Sequence, residues 1–386
     1  MTDYLIDLTK SPFWIALIAA AVLLAIVEKD HGRSPVFALV NLGFIELLIG
    51  WQRTLYVLGG AVVVWAFAVA ARRTRYHLWW ALLGGGLCVG LFLLHKLPGW
   101  SGALKLGGIN QLLSVTGFSY IALRIIELLR AMYEKRHDAP GLVATINYLL
   151  PFHMLAAGPI QAYDDFATQP DEARVLTRLT VLEALERIAF GIFKKFVLAY
   201  GVKTLFLTDF RAGGIYWLFE AQMFFIWLYL DFSAYSDIAV GVGKLIGVRT
   251  PENFNRPYFA RNITVFWERW HITLSLWIRR NLFFPIQVAL MRRTGGKRAM
   301  LCAAVAFAVS FLLCGLWHGI AWNFVVWGVM HASGLIIVNV YRGFLTKRLG
   351  SKGVKQYLAN PYIKAVSMAI TFEWVAISHL TFFYRF

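Results

Sequence analysis

Charge is what this sequence has least of. Charged side chains make up 15% of its 386 residues, where a soluble domain carries about a quarter. Hydrophobic residues fill 59% of it and the mean hydropathy is +0.60, more apolar surface than one globular core can hide. Cysteine is nearly absent. Cys88, Cys302 and Cys314 are odd in number and sit within apolar runs, which leaves no disulfide framework and no Cys-x-x-Cys redox or zinc motif. The signatures of common soluble enzymes are also missing. There is no Gly-x-Ser-x-Gly, Gly-x-Gly-x-x-Gly, His-Glu-x-x-His or His-x-x-x-x-Asp, and Gly243-Lys244 runs into Leu245 rather than completing a Walker A sequence. An ordinary hydrolase, zinc protease or nucleotide-driven transporter is unsupported. Long alternating polar and apolar stretches are lacking too, which argues against an outer-membrane barrel.

What is present is hydrocarbon in long runs. Stretches at 13–27, 55–71, 78–94, 188–207, 215–230, 301–317, 321–340 and 363–383 are apolar nearly throughout. Weaker ones, broken by Gly, Pro or polar residues, lie at 36–51, 109–129, 142–160 and 272–290. As helices, runs of this kind suit about 30 Å of hydrocarbon. The expectation is an all-α, polytopic integral membrane protein of about ten membrane-embedded helices, the weaker runs crossing or re-entering, in a single transmembrane domain over 1–386. Asp3, Asp7 and Lys10 make a poor signal-peptide start, so the first run reads as a retained helix. Lys29 and Arg33 follow the first run, and Arg72, Arg73 and Arg75 follow the run at 55–71. The positive-inside rule puts both loops in the cytoplasm and the N-terminus outside.

The net charge of +17 would suggest nucleic-acid binding in a soluble chain. In this one it reads as cytoplasmic loops beside anionic membrane lipids, with no nucleic-acid partner. The excess is uneven: between Lys244 and Arg298 there are eleven Lys/Arg and two acids, Glu252 and Glu268. Two uses for that patch stay open, topogenic and headgroup-binding charge, or docking of an acidic carrier or phosphorylated cofactor. From about 171 to 187, Leu176, Leu179, Leu182, Leu185 and Ile188 recur at helical spacing among Arg and Glu. This is an amphipathic helix, set either in the membrane interface or on the protein's own loops. The stretch at 243–270 is polar and turn-rich, and Arg279 and Arg280 follow inside an apolar run. An arginine in lipid costs roughly 3 kcal/mol or more, so this segment snorkels, lies in the interface or lines a polar cavity.

Ionisable residues inside apolar runs are the remaining candidates. Asp231 and Asp237, near Ser233, Tyr235 and Ser236, either hold helices together as a satisfied cluster or carry chemistry. His318 lies in Cys-Gly-Leu-Trp-His-Gly-Ile-Ala-Trp between two strongly apolar runs. His271 and His331 are placed in similar surroundings, and on position alone each of the three reads first as a packing residue.

The blocks around them carry more. Leu-Asp-Phe-Ser-Ala-Tyr-Ser-Asp-Ile-Ala-Val-Gly at 230–241 leads to Pro-Glu-Asn-Phe-Asn-Arg-Pro-Tyr at 251–258. Phe-Trp-Glu-Arg-Trp-His-Ile-Thr-Leu-Ser-Leu-Trp at 266–277, Leu-Trp-His-Gly at 316–319 and His331 follow. In that order and spacing, this motif-bearing core at 230–331 resembles the membrane-bound O-acyltransferase (MBOAT) family. Weaker similarity reaches back through Ala-Gly-Pro-Ile at 157–160 and Phe-Gly-Ile-Phe-Lys-Lys-Phe at 190–196. Within the family the chain is similar to bacterial members of teichoic-acid D-alanylation, and next to those of alginate and peptidoglycan O-acetylation. It departs from them at Trp277-Ile-Arg279-Arg280, where an acid is usual, and at Gln161-Ala-Tyr163.

The resemblance implies a ring of tilted helices around a central funnel leading to His318. It implies transfer of an acetyl or D-alanyl class of acyl group from a cytoplasmic thioester to a hydroxyl of an extracytoplasmic polysaccharide or cell-envelope polymer. No bound cofactor or metal is expected; the donor, on an acyl carrier protein or coenzyme A, is a co-substrate. His318 would be the general base, with His271 in the funnel beside it. Trp317 would wall the channel. Asn253, Asn255 and Arg269 would line its cytoplasmic mouth, and His331 and Asp231 would contact or orient substrate. The expected place is a bacterial cytoplasmic (inner) membrane, crossed many times, with an extracytoplasmic polymer-modifying partner. Tyr384, near the C-terminus, either relays the acyl group or anchors in the aromatic belt. Rival readings are a transporter or flippase, a glycosyltransferase using lipid-linked sugar, and an export-complex scaffold.

Overall fold

The computed structural model describes residues 11–27, 34–96, 117–169, 177–207 and 216–382. Every element of two or more residues among them is helical; the lone β-bridge pairs Phe254 with Trp270. Among the described residues six helices are long and apolar enough to cross a membrane: Trp51–Arg73, His77–Lys96, Trp217–Ile246, Ala299–His318, Trp322–Ala359 and Pro361–Leu380. Shorter apolar helices lie at Trp14–Leu24, Pro35–Ile49 and Leu142–Met154. Lys29, Arg33, residues 171–176 and Tyr384 fall outside the described residues.

The chain divides into two compact units, Met1–Phe193 with Ala234–Pro251, and Lys194–Ser233 with Glu252–Phe386. In the first, helix ends follow local chemistry. Ser34 accepts from the backbone N–H groups of Val36 and Phe37 at 3.1 and 3.4 Å, with Pro35 in the first turn, and Gly50 at φ 81° ends the helix Pro35–Ile49. Side chains of Trp14, Phe37, Phe44, Phe152, Ile188, Tyr235 and Ile238 make one of its cores. Several buried polar groups there are paired through hydrogen bonds. Arg124 is fully buried and donates to the carbonyls of Leu149, Met154 and Pro159 at 3.2–3.3 Å. Arg187 Nε donates to Asp237 Oδ1 at 2.7 Å. Asp237 is thus held by an arginine.

The second unit opens on a π-helical stretch, Lys194–Ala199. Buried Lys194 donates to Ser233 Oγ at 2.8 Å, and Lys195 pairs with Asp231. The run at 272–290 divides into Ile272–Ile278, a π-helical stretch Arg279–Phe283 and Phe284–Arg293. Arg279 and Arg280 lie in the π-helical part, and Arg279 with Glu268 helps to line a cleft of about 190 Å³. The polar stretch after Val340 continues as helix to Ala359, bent at Gly350. The helix that follows is capped by Asn360, which accepts from Tyr362 and Ile363 N–H at 2.9 and 3.3 Å.

Candidate active site

His318 ends one membrane-spanning helix, and three residues separate it from the next, which begins at Trp322. The two helices pack backbone to backbone. A Cβ on Gly315 would lie 2.3 Å from the Phe324 carbonyl oxygen, and one on Gly328 would lie 2.6 Å from that of Phe311. Only glycine permits that approach. The joint therefore holds His318 on a rigid pair of elements rather than on a loose loop. Its half-buried ring stands in an aromatic cage. Centroids of Trp317, Trp327 and Phe382 lie at 4.7, 5.1 and 5.1 Å, and Phe324 stacks at 6.4 Å.

His331 lies one helix face away with no exposed surface. Trp267 Nε1 donates to its Nδ1 at 3.2 Å. Indole is a donor only, so Nδ1 is an acceptor and the ring proton sits on Nε2. Nε2 then donates to Ser378 Oγ at 2.9 Å, and Ser378 passes its own hydroxyl proton to the Val375 carbonyl at 2.7 Å. Both nitrogens of His331 are engaged inside the protein.

A fourth histidine joins these, one the sequence reading did not single out. His379 is 2% exposed, donates from Nδ1 to the Val375 carbonyl at 2.8 Å, and lies between Phe225 and Phe382. Its centroid is 5.5 Å from those of both His331 and Trp270. The only sequence signal was a Ser-His pair at the end of an apolar run, no stronger than many others.

His271 sits at the start of the short helix Ile272–Ile278 with φ 43° and ψ 51°, a left-handed conformation uncommon outside glycine. Non-glycine residues held there cluster at functional sites. Asn253 holds it in place. Its side-chain oxygen accepts from Thr273 N–H at 3.3 Å, Thr273 Oγ1 at 2.9 Å and His271 Nδ1 at 3.1 Å, and its backbone carbonyl accepts from Ile272 N–H at 2.9 Å. Because an amide oxygen can only accept, Nδ1 of His271 carries the proton and Nε2 is the ring's acceptor atom. Burial pushes the His271 ring below the usual histidine range, which keeps it neutral. Phe232, next to Asp231, meets its ring edge-on at 4.8 Å.

The expected site residues are thus only partly gathered. His318, Trp317 and His331 share the cage with Trp327, Phe382 and His379. His271 and Asn253 form a second cluster, joined to the first through Trp270 and Phe232. Asn253 is fully enclosed, whereas Asn255 is exposed and lends only its backbone N–H to the Arg269 carbonyl at 2.9 Å. Arg269 is partly exposed and donates to the Phe259 carbonyl at 3.3 Å. Asp231 is occupied by Lys195.

The profile of the MBOAT, membrane-bound O-acyltransferase family, matches residues 6–380. The chain is 28% identical over 336 residues to a teichoic acid D-alanyltransferase of Streptococcus thermophilus, covering 83% of this chain and 79% of that one. It is 34% identical over 242 residues to a probable alginate O-acetylase of Azotobacter vinelandii, covering 61% of this chain and 46% of the relative. A peptidoglycan O-acetyltransferase of Helicobacter pylori is 34% identical over 200 residues, 49% of this chain and 36% of its own length. With its long apolar helices, the protein is a multi-pass membrane O-acyltransferase, and the chain belongs to the membrane-bound O-acyltransferase family.

Proposed function

We propose that this enzyme moves an acyl group of the acetyl or D-alanyl class from a cytoplasmic thioester to a hydroxyl of an extracytoplasmic cell-envelope polymer, with His318 as general base. The observation that carries the reading is the seat of His318. It is a half-buried imidazole fixed where two membrane-spanning helices meet, in a cage of aromatic rings. The acceptor oxygen attacks the thioester carbonyl carbon while its proton passes to His318. The carbon–sulfur bond then breaks, the new carbon–oxygen ester bond remains, and the proton is returned to the departing thiolate. General-base catalysis supplies about 10²–10⁴-fold in rate.

His271 keeps Nε2 as its acceptor atom, the proton on Nδ1 being held by Asn253. Arg269 and Asn255, with exposed Arg256 and Arg261, suit an anionic donor, an acyl carrier protein or coenzyme A, arriving from the cytoplasm. The names of the relatives support a polymer of the bacterial envelope as acceptor and a bacterial cytoplasmic membrane as the place. A polymer-modifying partner outside the membrane follows from that acceptor.

Mass spectrometry of ester groups on envelope polymer from wild-type and His318→Gln cells tests the reading. The expected result is loss of the ester with the membrane protein still abundant. Unchanged ester content would overturn it, and altered polymer export without any change in ester would favour a transporter.

A further inference from the structure

We propose that His331 is a positioning residue for His318. Held by Trp267 and Ser378 through its two ring nitrogens, it fixes the Trp327 indole against which the His318 ring stands. The inference rests on the reading of His318 as base and concerns what orients that base.

Trp327 is the link. It is 1% exposed, and its Nε1 has no hydrogen-bond acceptor among the described residues. A buried indole normally finds one, so here packing alone sets its orientation. Its centroid lies 4.4 Å from His331 on one side and 5.1 Å from His318 on the other, with interplanar angles of 48° and 78°. Phe382 meets Trp327 edge-on at 5.6 Å and His318 at 5.1 Å, completing the cage. If the His331 ring tips, the unanchored indole follows, and the wall behind His318 moves with it.

His331 itself is kept from tipping by donors and acceptors of fixed sense. Trp267 can only donate, so it selects one tautomer. That tautomer donates to Ser378, on a different helix from His331. Trp267 belongs to the short helix Ile263–Trp267, so three chain segments meet on one imidazole. A neutral histidine with both nitrogens engaged is poorly placed to take a proton from substrate. Its chemistry is that of a three-way tie.

The experiment follows His318 directly, by its rate of carbethoxylation with diethyl pyrocarbonate, read peptide by peptide in the purified full-length protein. Alkali-labile acetyl and D-alanyl esters of the cell envelope are measured in parallel. In His331→Leu, the His318 labelling rate is expected to change several-fold while His271 stays as in wild type, and ester content to fall roughly ten- to hundredfold, as small misplacements of a reacting group do. His331→Asn, which keeps an acceptor for Trp267, and His331→Gln, which keeps a donor for Ser378, are expected to recover part of both. Trp267→Phe combined with Ser378→Ala should match His331→Leu rather than add to it. Unchanged His318 labelling in His331→Leu, or in the milder variants should that one not accumulate, would overturn the proposal. So would equal rises at His271 and His318, which would signal general loosening. Ester content retained in His318→Gln would sink the base reading instead, and the labelling result would still report whether His331 orients that ring.

Discussion

Asn253 carries more of the local architecture than any other polar residue in the loop before the helix Ile272–Ile278. Its one side-chain oxygen serves three donors, Thr273 N–H, Thr273 Oγ1 and His271 Nδ1. Asn253→Leu keeps the volume and removes the acceptor, and a buried donor left unsatisfied costs about 1–3 kcal/mol. The expected outcome is a lower unfolding temperature in detergent and strongly reduced ester transfer, whereas Thr273→Val, which loses one hydroxyl, should show a smaller fall in both. A second expectation concerns pH. Burial lowers the His271 pKa in the folded state, so the unfolded chain binds the proton more readily. Its contribution to stability is full above the unfolded value of about 6.5 and is lost as pH falls from there toward the folded value. Thermal unfolding scans between neutral and mildly acidic pH should show this loss, and His271→Gln should make it shallower.

At the scale of helices, the pair Ala299–His318 and Trp322–Ala359 is held by an approach that side chains would block. Gly328→Val would drive its added carbons into the Phe311 backbone, 2.6 Å from where its Cβ would stand. Overpacking of this kind costs typically about 1–3 kcal/mol. Ester transfer in membranes should fall well before the protein ceases to accumulate, since the same shift moves the end of the helix that bears His318. The π-helical stretch Lys194–Ala199 makes a different prediction. Lys195 and Asp231 are a shielded pair, and removing one partner leaves a charge without its mate, about 3–5 kcal/mol for a buried pair. Asp231→Leu alone should destabilise strongly, and Asp231→Leu with Lys195→Met should restore much of the unfolding temperature. Failure of the double variant to recover would give Lys195 a second role.

How far these elements could be read from sequence depended on what each one buries. The runs at 55–71, 78–94 and 301–317 became helices close to their expected limits, because lipid asks only for sustained apolarity. The helix Trp322–Ala359 overran its expected end, since Arg342, Lys347, Arg348, Lys352, Lys355 and Gln356 favour helix but carry no hydropathy signal. The site was legible only where a local motif carried it. His318, with Gly315 three residues before it, announced a close-packed joint. The tautomer of His331 depends on an indole 64 positions earlier, and His379 gains its meaning from Phe225 and Trp270. Such partners meet only in the fold.

For the molecule as a whole, composition points to lipid as the solvent, and the loop charges predict an orientation that labelling can test. All three cysteines are buried and free of disulfides, so a new surface thiol would be read without background. Tyr76, 51% exposed beside Arg75, lies in the loop that the positive-inside rule places in the cytoplasm. Tyr76→Cys in intact cells should resist a membrane-impermeant maleimide and react once the membrane is opened. Labelling in intact cells would invert the topology and put the thioester on the wrong side.

The glycine-lined joint at His318 also bears on how the enzyme is made. Its two helices are neighbours in the chain, separated by three residues, and contacts so local close early and fast. The hairpin can therefore form as soon as the second helix leaves the insertion machinery. Ser378, His379 and Phe382 come later, with the helix Pro361–Leu380. A nascent chain halted before that last helix would then have His318 aligned by the hairpin but not yet enclosed.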